Sequence, residues 1–403
     1  MAATLKPENA ARLVDAIQSA VAEKTPLEVI GGGSKRAFGG PVAAERRLDL
    51  SCLSGISLYE PSELVMTADA ATPLAEINRA LDENNQYLAF EPRDMGSILG
   101  SAIGGTIGGA IACNLAGPRR IKSGAARDHI LGFKAVNGRG EAFKSGGRVV
   151  KNVTGFDLSK LITGSFGTLA AISEISFKVL PRPQKTRTVL IFGGDFEDAR
   201  RAMSLALGGP FEVSAAAHLP ADVAATSNVD CVAAAGRSLT ALRLEGPEPS
   251  VVHRCRTLRS GLSAFGETAE LDEAGSRRFW RQVGDAAFFA AVPEAQIWRL
   301  SVPPAAGPGV AAEILDSTGG RAFFDWGGGL VWLAVAPRED AWAPVVRGAI
   351  SEPGGHATLV RAAASIRNSQ PVFQPQPPAL AALTARIKDA FDPLAILNPG
   401  RMA

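Results

Sequence analysis

The 403-residue sequence predicts an α+β protein of two domains. Three observations carry that reading. Apolar residues make up 46% of a chain long enough to build more than one core. The first 180 residues alternate helical and strand periodicities, and a PRPQ run at 181–184 then interrupts them. Beyond that run lie all five tryptophans and alternating stretches such as RTVLIF and GLVWLAVA, which predict an antiparallel sheet accompanied by helices.

Taken in order, Leu13, Val14, Ile17 and Val21 share one side of a helical period between Pro7 and Lys24. LEVI at 27–30 follows as a strand and runs straight into Gly31, Gly32, Gly33, Ser34 and Lys35. ELVMTADA at 63–70 reads as a strand. Thr72 is placed as the cap of a helix with Pro73 at its first position and Leu74, Ile77 and Leu81 as its buried stripe. NQYLAF supplies a short strand, Leu158–Ile162 a helix, and LAAISEISFKVL at 169–180 the last strand of the first domain. In the second domain the helix candidates include Phe196–Ala206 and the alanine-rich segment near His356. PVFQPQPP at 371–378 reads as a linker or wrapping segment, followed by an amphipathic helix over ALAALTARIKDAFDP and the terminal ILNPGRM. The expected domains are 1–180, 181–370 and a C-terminal segment, 371–403.

The 42 basic and 40 acidic residues nearly cancel at +2, so no global field attracts nucleic acid or anionic lipid. The start, MAATLKPENAARL, has no basic region followed by an apolar run, and the expectation is a cytoplasmic chain without a secretory signal. Met95–Pro118 is uncharged over 24 residues, long enough to span a bilayer. Its six glycines before Leu115, with Ser97, Ser101, Thr106 and Asn114, instead suggest short helices and loops close to a ligand. Cys52, Cys113, Cys231 and Cys255 form no CxxC pair, and His129, His218, His253 and His356 form no HxH or HExxH arrangement. No metal site is expected. His129 reads as a polar loop histidine, and Asp157 as a support for its own turn.

Glycine is the exception in this ordinary composition: of 43, 16 fall in the 72 residues from Gly96 to Gly167. The Gly31–Lys35 run after a strand is a candidate phosphate loop, since successive backbone amides can surround an anion. It lacks the third glycine of GxGxxG, and no GxxxxGK[ST] loop occurs. GGTIGGAIACNLAGPRR at 104–120 can bring main chain against a flat cofactor, with Thr106 and Asn114 as hydrogen-bonding side chains. A plain tight turn and close helix packing remain the alternatives for these two runs. In KNVTGFDLSKLITGSFGTLAAISEISFKVLP at 151–181, Gly164, Ser165 and Gly167 make a turn ahead of the strand bearing Ile172.

IGGGSK, the 104–120 block, SGAARDHILGFKAVNGRGE, GGRVVKNVTGFDLSKLITGSFGTLAAISEISFKVLPRP and LNPGRM resemble, in content and order, the vanillyl-alcohol oxidase or PCMH-type family of FAD-binding proteins. Within it the similarity is to the E-subunit family of bacterial glycolate oxidases. The resemblance implies an α+β PCMH-type FAD-binding domain of two subdomains and a second, cap-like α+β domain containing an antiparallel sheet. It implies that Gly31, Gly32, Gly33, Ser34 and Lys35 wrap the FAD diphosphate, and that Gly105, Thr106, Gly108, Gly109, Asn114 and Gly117 line the dinucleotide or flavin. Asp128 would fall near the adenosine half, Gly167 and Ile172 near the ribose or adenine. Asn398 would neighbour the flavin ring, on a tail returning to the first domain. With no histidine in the second glycine block or beside Gly31, the FAD is expected to be non-covalent.

For function, the resemblance implies a FAD-binding accessory subunit of a glycolate oxidase complex. Its partners would be the catalytic FAD-binding D-type chain of glycolate oxidase and an iron–sulfur F-type chain, passing electrons toward quinone, with peripheral association at the inner face of the plasma membrane through those partners. Catalytically competent relatives are similar in a histidine-rich cap motif that can hold a metal. This sequence departs from it, so no catalytic residue is assigned. The alternatives are a self-sufficient FAD-dependent 2-hydroxy-acid dehydrogenase, with Arg281, Arg299 or Arg321 clamping the substrate carboxylate, and a flavin-free structural subunit. Arg119–Lys151 carries nine basic and two acidic residues, a local +7 that suits either a protein partner or a solvated face.

Overall fold

The computed structural model describes residues 3–148 and 155–402. Residues 149–154, of which 151–154 belong to the third glycine-bearing block and Lys151 to the basic run, lie outside them. The chain packs as two units, one of Met1–Ala116, Gly124–Arg182 and Pro375–Ala403, the other of Gly117–Ser123 and Pro183–Gln374.

In the first unit the strands are, in chain order, β1 (Ala3–Leu5), β2 (Leu27–Ile30), β3 (Arg46–Asp49), β4 (Ile56–Glu60), β5 (Val65–Asp69), β6 (Gln86–Tyr87), β7 (Ile130–Asn137), β8 (Ala142–Gly146), β9 (Ala170–Lys178) and β10 (Leu180–Pro181). They form a small parallel sheet in the order β1-β3-β2, an antiparallel sheet β4-β5-β9-β7-β8 and the pair β10-β6. The helix Ala10–Glu23 starts where the Asn9 side chain accepts from Arg12 N (3.0 Å), and it buries Leu13, Ile17 and Ala20. Those residues pack with Leu27, Leu48, Leu397 and neighbours as the core under the parallel sheet. Ile77 and Leu81 are buried as the sequence predicts, but the helix runs Leu74–Asp82 with Pro73 as its cap residue. Thr72 is otherwise engaged: its hydroxyl accepts from Gly55 N (2.9 Å) and lies 2.7 Å from Asp69 O, tying two loops together.

The second unit is built on one antiparallel sheet of eight strands. These are β11 (Lys185–Phe192), β12 (Ala215–Leu219), β13 (Leu239–Gly246), β14 (Glu267–Leu271), β15 (Gln296–Ser301), β16 (Arg321–Asp325), β17 (Leu330–Val335) and β18 (His356–Arg361), in the order β14-β11-β13-β12-β16-β17-β15-β18. The helix Phe196–Gly208 begins at Asp195, whose carboxylate accepts from the Glu197 and Asp198 amides, 2.9 Å each. Near His356 the chain first forms the edge strand β18, whose pairing with β15 helps bury Ala357, Leu359 and Val360, and the alanine-rich stretch after it turns into a short helix, Ala364–Ser369.

Gly117–Ser123, read from sequence as part of the first domain, packs within the second unit. Trp326 donates its indole N–H to Gly117 O (3.0 Å), and Arg119 grips Glu245 through two bonds of 2.9 and 2.7 Å. Arg243 lies 3.5 Å from the same carboxylate and beneath the Trp280 ring. Burial raises the Glu245 pKa, but the two guanidiniums outweigh it and hold the carboxyl far below its usual range. The basic run is thereby divided. Arg119, Arg120 and Lys122 belong to the second unit, Lys134 pairs with Glu174, and Arg139 donates to backbone carbonyls of 389 and 390. Sequence counts charge along the chain, whereas folding shares it between the two units.

His218 is buried on β12, beside Thr240 Oγ1 (3.0 Å) and the Phe324 and Phe196 rings. Burial pushes its pKa down to about 4. Its ring is expected to stay neutral down to about that pH. Because the unfolded chain binds that proton near pH 6.5, the fold should lose stability as pH falls from there toward 4. Imidazole NMR shifts between pH 7 and 4.5 check this: a His218 resonance titrating near 6.5 contradicts it.

Candidate functional site

The apolar strand β2 emerges from the core and delivers the Gly31–Lys35 turn to one side of a cleft of about 800 Å³, counting space open to solvent. The facing side is the short helix Ile107–Ala112, capped by Thr106, whose hydroxyl accepts from Gly109 N (3.2 Å). The third side is the 164–167 turn and the start of β9. The turn is hung on that helix by Gly164 N to Ile111 O (3.1 Å) and Phe166 N to Ala112 O (2.8 Å). The C-terminal tail brings Asn398 and Arg401.

Close approach makes one glycine tight and another indispensable. A Cβ on Gly31 would stand 3.1 Å from Thr106 Oγ1, and one on Gly108 only 2.6 Å from Ala70 O, where β5 ends. Gly31, Gly32, Gly33, Ser34, Lys35, Thr106, Gly108, Gly109, Gly167, Ile172 and Asn398 all line the cleft. Four expected residues stand elsewhere. Gly105 abuts Lys35, with a Cβ there 2.9 Å from Nζ. Asn114 has turned past the helix, with φ +48°, and its Oδ1 accepts from Arg127 N (3.4 Å). Asp128 is spent on its own turn, accepting from Ala125 N (2.8 Å). Gly117 belongs to the second unit.

Sequence reasoning missed the rest of the lining, notably Phe38, Leu50, Ala70, Ala71, Phe166 and Arg401. These are ordinary residues that tertiary pairing brings in, as when Ala70 N bonds Ser173 O (2.8 Å). Two signals were available: the small-residue run ADAA closing β5, and Arg401 three residues past Asn398 in LNPGRM.

The lining combines apolar walls with a cationic end. Burial lowers the Lys35 pKa; its ammonium donates to Ser34 Oγ (3.3 Å), and no carboxylate lies within 4.0 Å among the described residues. A partly buried cation without an ion pair, beside a turn of exposed glycine backbone, suits a phosphorylated ligand, and the apolar walls suit its rings. Cys113 also lines the cleft. Burial pushes its thiol up to about 11, so it is protonated and weakly nucleophilic at neutral pH. Neither histidine nor carboxylate is among the lining residues described. Among the described residues no group of three or more His, Cys, Asp or Glu could hold a metal ion, and no helix is long and apolar enough to cross a membrane.

A family model described as an FAD binding domain matches residues 1–146. Glycolate oxidase subunit GlcE of Escherichia coli K12 is 34% identical over 391 residues, covering 97% of this chain and 96% of that protein. The chain belongs to the GlcE family of PCMH-type FAD-binding proteins. An uncharacterized FAD-linked oxidoreductase of Mycobacterium tuberculosis is 27% identical over 386 residues, covering 88% of this chain and 78% of its own length. The fold matches that of 4-ethylphenol oxidase from Gulosibacter chungangensis with a TM-score of 0.72 at 15% identity, over 99% of this chain and 88% of the other. As in the family, the first unit is the FAD-binding domain and the eight-stranded sheet is the additional antiparallel domain. The glycine turn, the Lys35 cation and the apolar walls of the cleft fit FAD, consistent with non-covalent binding.

Proposed function

We propose that this chain is the FAD-carrying accessory subunit of a glycolate oxidase complex that oxidises glycolate to glyoxylate. Its partners in this reading are a catalytic flavoprotein chain of the GlcD type and an iron–sulfur chain of the GlcF type, with electrons passing on toward quinone. The whole complex would associate peripherally with the inner face of the plasma membrane through those partners. The observation that carries the reading is end-to-end kinship with GlcE, joined to a cleft with neither histidine nor carboxylate among its described lining residues. When bound, FAD supplies acceptance of a hydride or of single electrons.

In this assignment Lys35 and the Gly31–Ser34 backbone hold the diphosphate, Gly108, Gly109 and Thr106 face the dinucleotide, and Gly167, Ile172 and Asn398 close the opposite side. The arginines considered for a carboxylate clamp have three different surroundings: Arg321 pairs with Asp222 (3.1 Å), Arg281 is exposed, and Arg299 stacks over Trp326. Co-expression with the catalytic and iron–sulfur chains tests the proposal. A stable three-component complex on size exclusion, yellow and containing this chain, is expected. Elution of the chain alone under conditions that keep the other two together would contradict it.

A further inference from the structure

Asn398 was expected beside the flavin as a ligand, yet its side chain is spent inside the protein. Its Oδ1 accepts from Val29 N (2.7 Å) on β2, and its Nδ2 donates to Phe166 O (2.9 Å) in the 164–167 turn. The backbone continues the same attachment: Leu27 N donates to Ile396 O (2.7 Å) and Asn398 N to Leu27 O (3.0 Å), so the tail pairs parallel to β2. Beyond it, Arg401 Nη1 donates to Arg36 O (2.8 Å) and Phe38 O (3.1 Å), on the far side of the glycine turn.

These bonds connect the two sides of the cleft. One side is β2 with the glycine turn; the other is the helix Ile107–Ala112 with the 164–167 turn hung on it. At one end the sides meet directly, where Gly31 approaches Thr106. At the other end the Asn398 amide bridges them. We propose that Asn398 is a splint that sets the width of the cleft, so that docking of the C-terminal tail and retention of FAD are one coupled equilibrium.

The residue type follows from this role. Asn398 has φ +45°, a left-handed conformation that asparagine tolerates better than most residues. The carboxamide there offers both an acceptor for Val29 N–H and a donor for Phe166 O. Asp keeps the acceptor but turns a second oxygen toward the Phe166 carbonyl. Gly keeps the backbone and removes both bonds.

The inference rests on the reading that this cleft holds the FAD, and the test separates the two. FAD dissociation constants are measured by flavin fluorescence for wild type, Asn398→Asp, Asn398→Gly and Lys35→Gln, at a temperature where near-ultraviolet circular dichroism shows each apo-protein folded. A residue that only stabilises the fold leaves affinity unchanged under those conditions. Both Asn398 variants are expected to bind FAD roughly tenfold or more weakly, about the value of one or two lost hydrogen bonds. Weakening by Lys35→Gln with Asn398 variants within twofold of wild type overturns the splint and leaves the cleft reading intact. Unchanged affinity in all three overturns the cleft reading itself. Should the Asn398 variants not fold, amide hydrogen exchange of the wild type decides: FAD is expected to protect the 392–402 and 164–168 peptides together, and an unprotected tail overturns the proposal.

Discussion

Lys35→Met is expected to weaken FAD binding roughly ten- to a hundredfold while leaving the apo-protein at least as stable as wild type. The two effects have opposite causes. In the apo-protein a charge is held partly out of water with Ser34 Oγ as its hydrogen-bond partner and no ion pair among the described residues, and that burial lowers its pKa. Methionine has nearly the same length and removes the penalty. With FAD present, the same ammonium becomes a charge-assisted donor to phosphate oxygens, which methionine cannot replace. Fluorescence titration with FAD and a thermal melt of the apo-protein give both signs in one preparation. Undiminished affinity would show that the diphosphate does not lie at Lys35.

Glu245→Ala should destabilise the second unit by about 3–5 kcal/mol, a large share of ordinary domain stability. Arg119 and Arg243 have side chains only 10% and 3% exposed, and both are compensated by this carboxylate. Removing it leaves two guanidiniums buried with no counter-charge from Glu245. All five tryptophans lie in the second unit, so their emission during urea unfolding reports that unit alone. The pH dependence follows from the depressed pKa. The stabilisation from Glu245 is fully present above its unfolded value of about 4.5 and drains away as pH falls below it. A variant with wild-type urea resistance at pH 7 would mean that the network contributes no net stability.

Local pattern carried much of the cleft into view from sequence. The apolar LEVI strand ending in three glycines, the GGTIGGAIA run and the GSFG turn are each short-range signals, and each contributes residues to the cleft. What sequence could not supply was the side a residue faces once the chain turns. Asn114 lies in the same informative block as Thr106 and Gly109, and Asp128 in the next, but the helix ends at Ala112 and both side chains accept from nearby backbone amides. Gly117 crosses into the other unit because Trp326, over 200 residues later, captures its carbonyl. Asn398 was found by its motif, but its partners, Val29 and Phe166, are each more than 200 residues away. Near His356 the alanine-rich stretch does carry a helix, Ala364–Ser369, but the strand just ahead of it, His356–Arg361, escaped the sequence reading because its pairing with β15 is far away in sequence.

Anaerobic addition of glycolate to the purified chain, followed in the flavin absorption band with and without the catalytic and iron–sulfur chains, tests the central claim most directly. The expected result is a yellow protein whose FAD is released intact on denaturation, whose spectrum is unchanged by glycolate or D-lactate alone, and which bleaches only when the partners are present. Rapid bleaching of the isolated chain by either hydroxy acid would contradict the accessory role and make this chain a dehydrogenase in its own right.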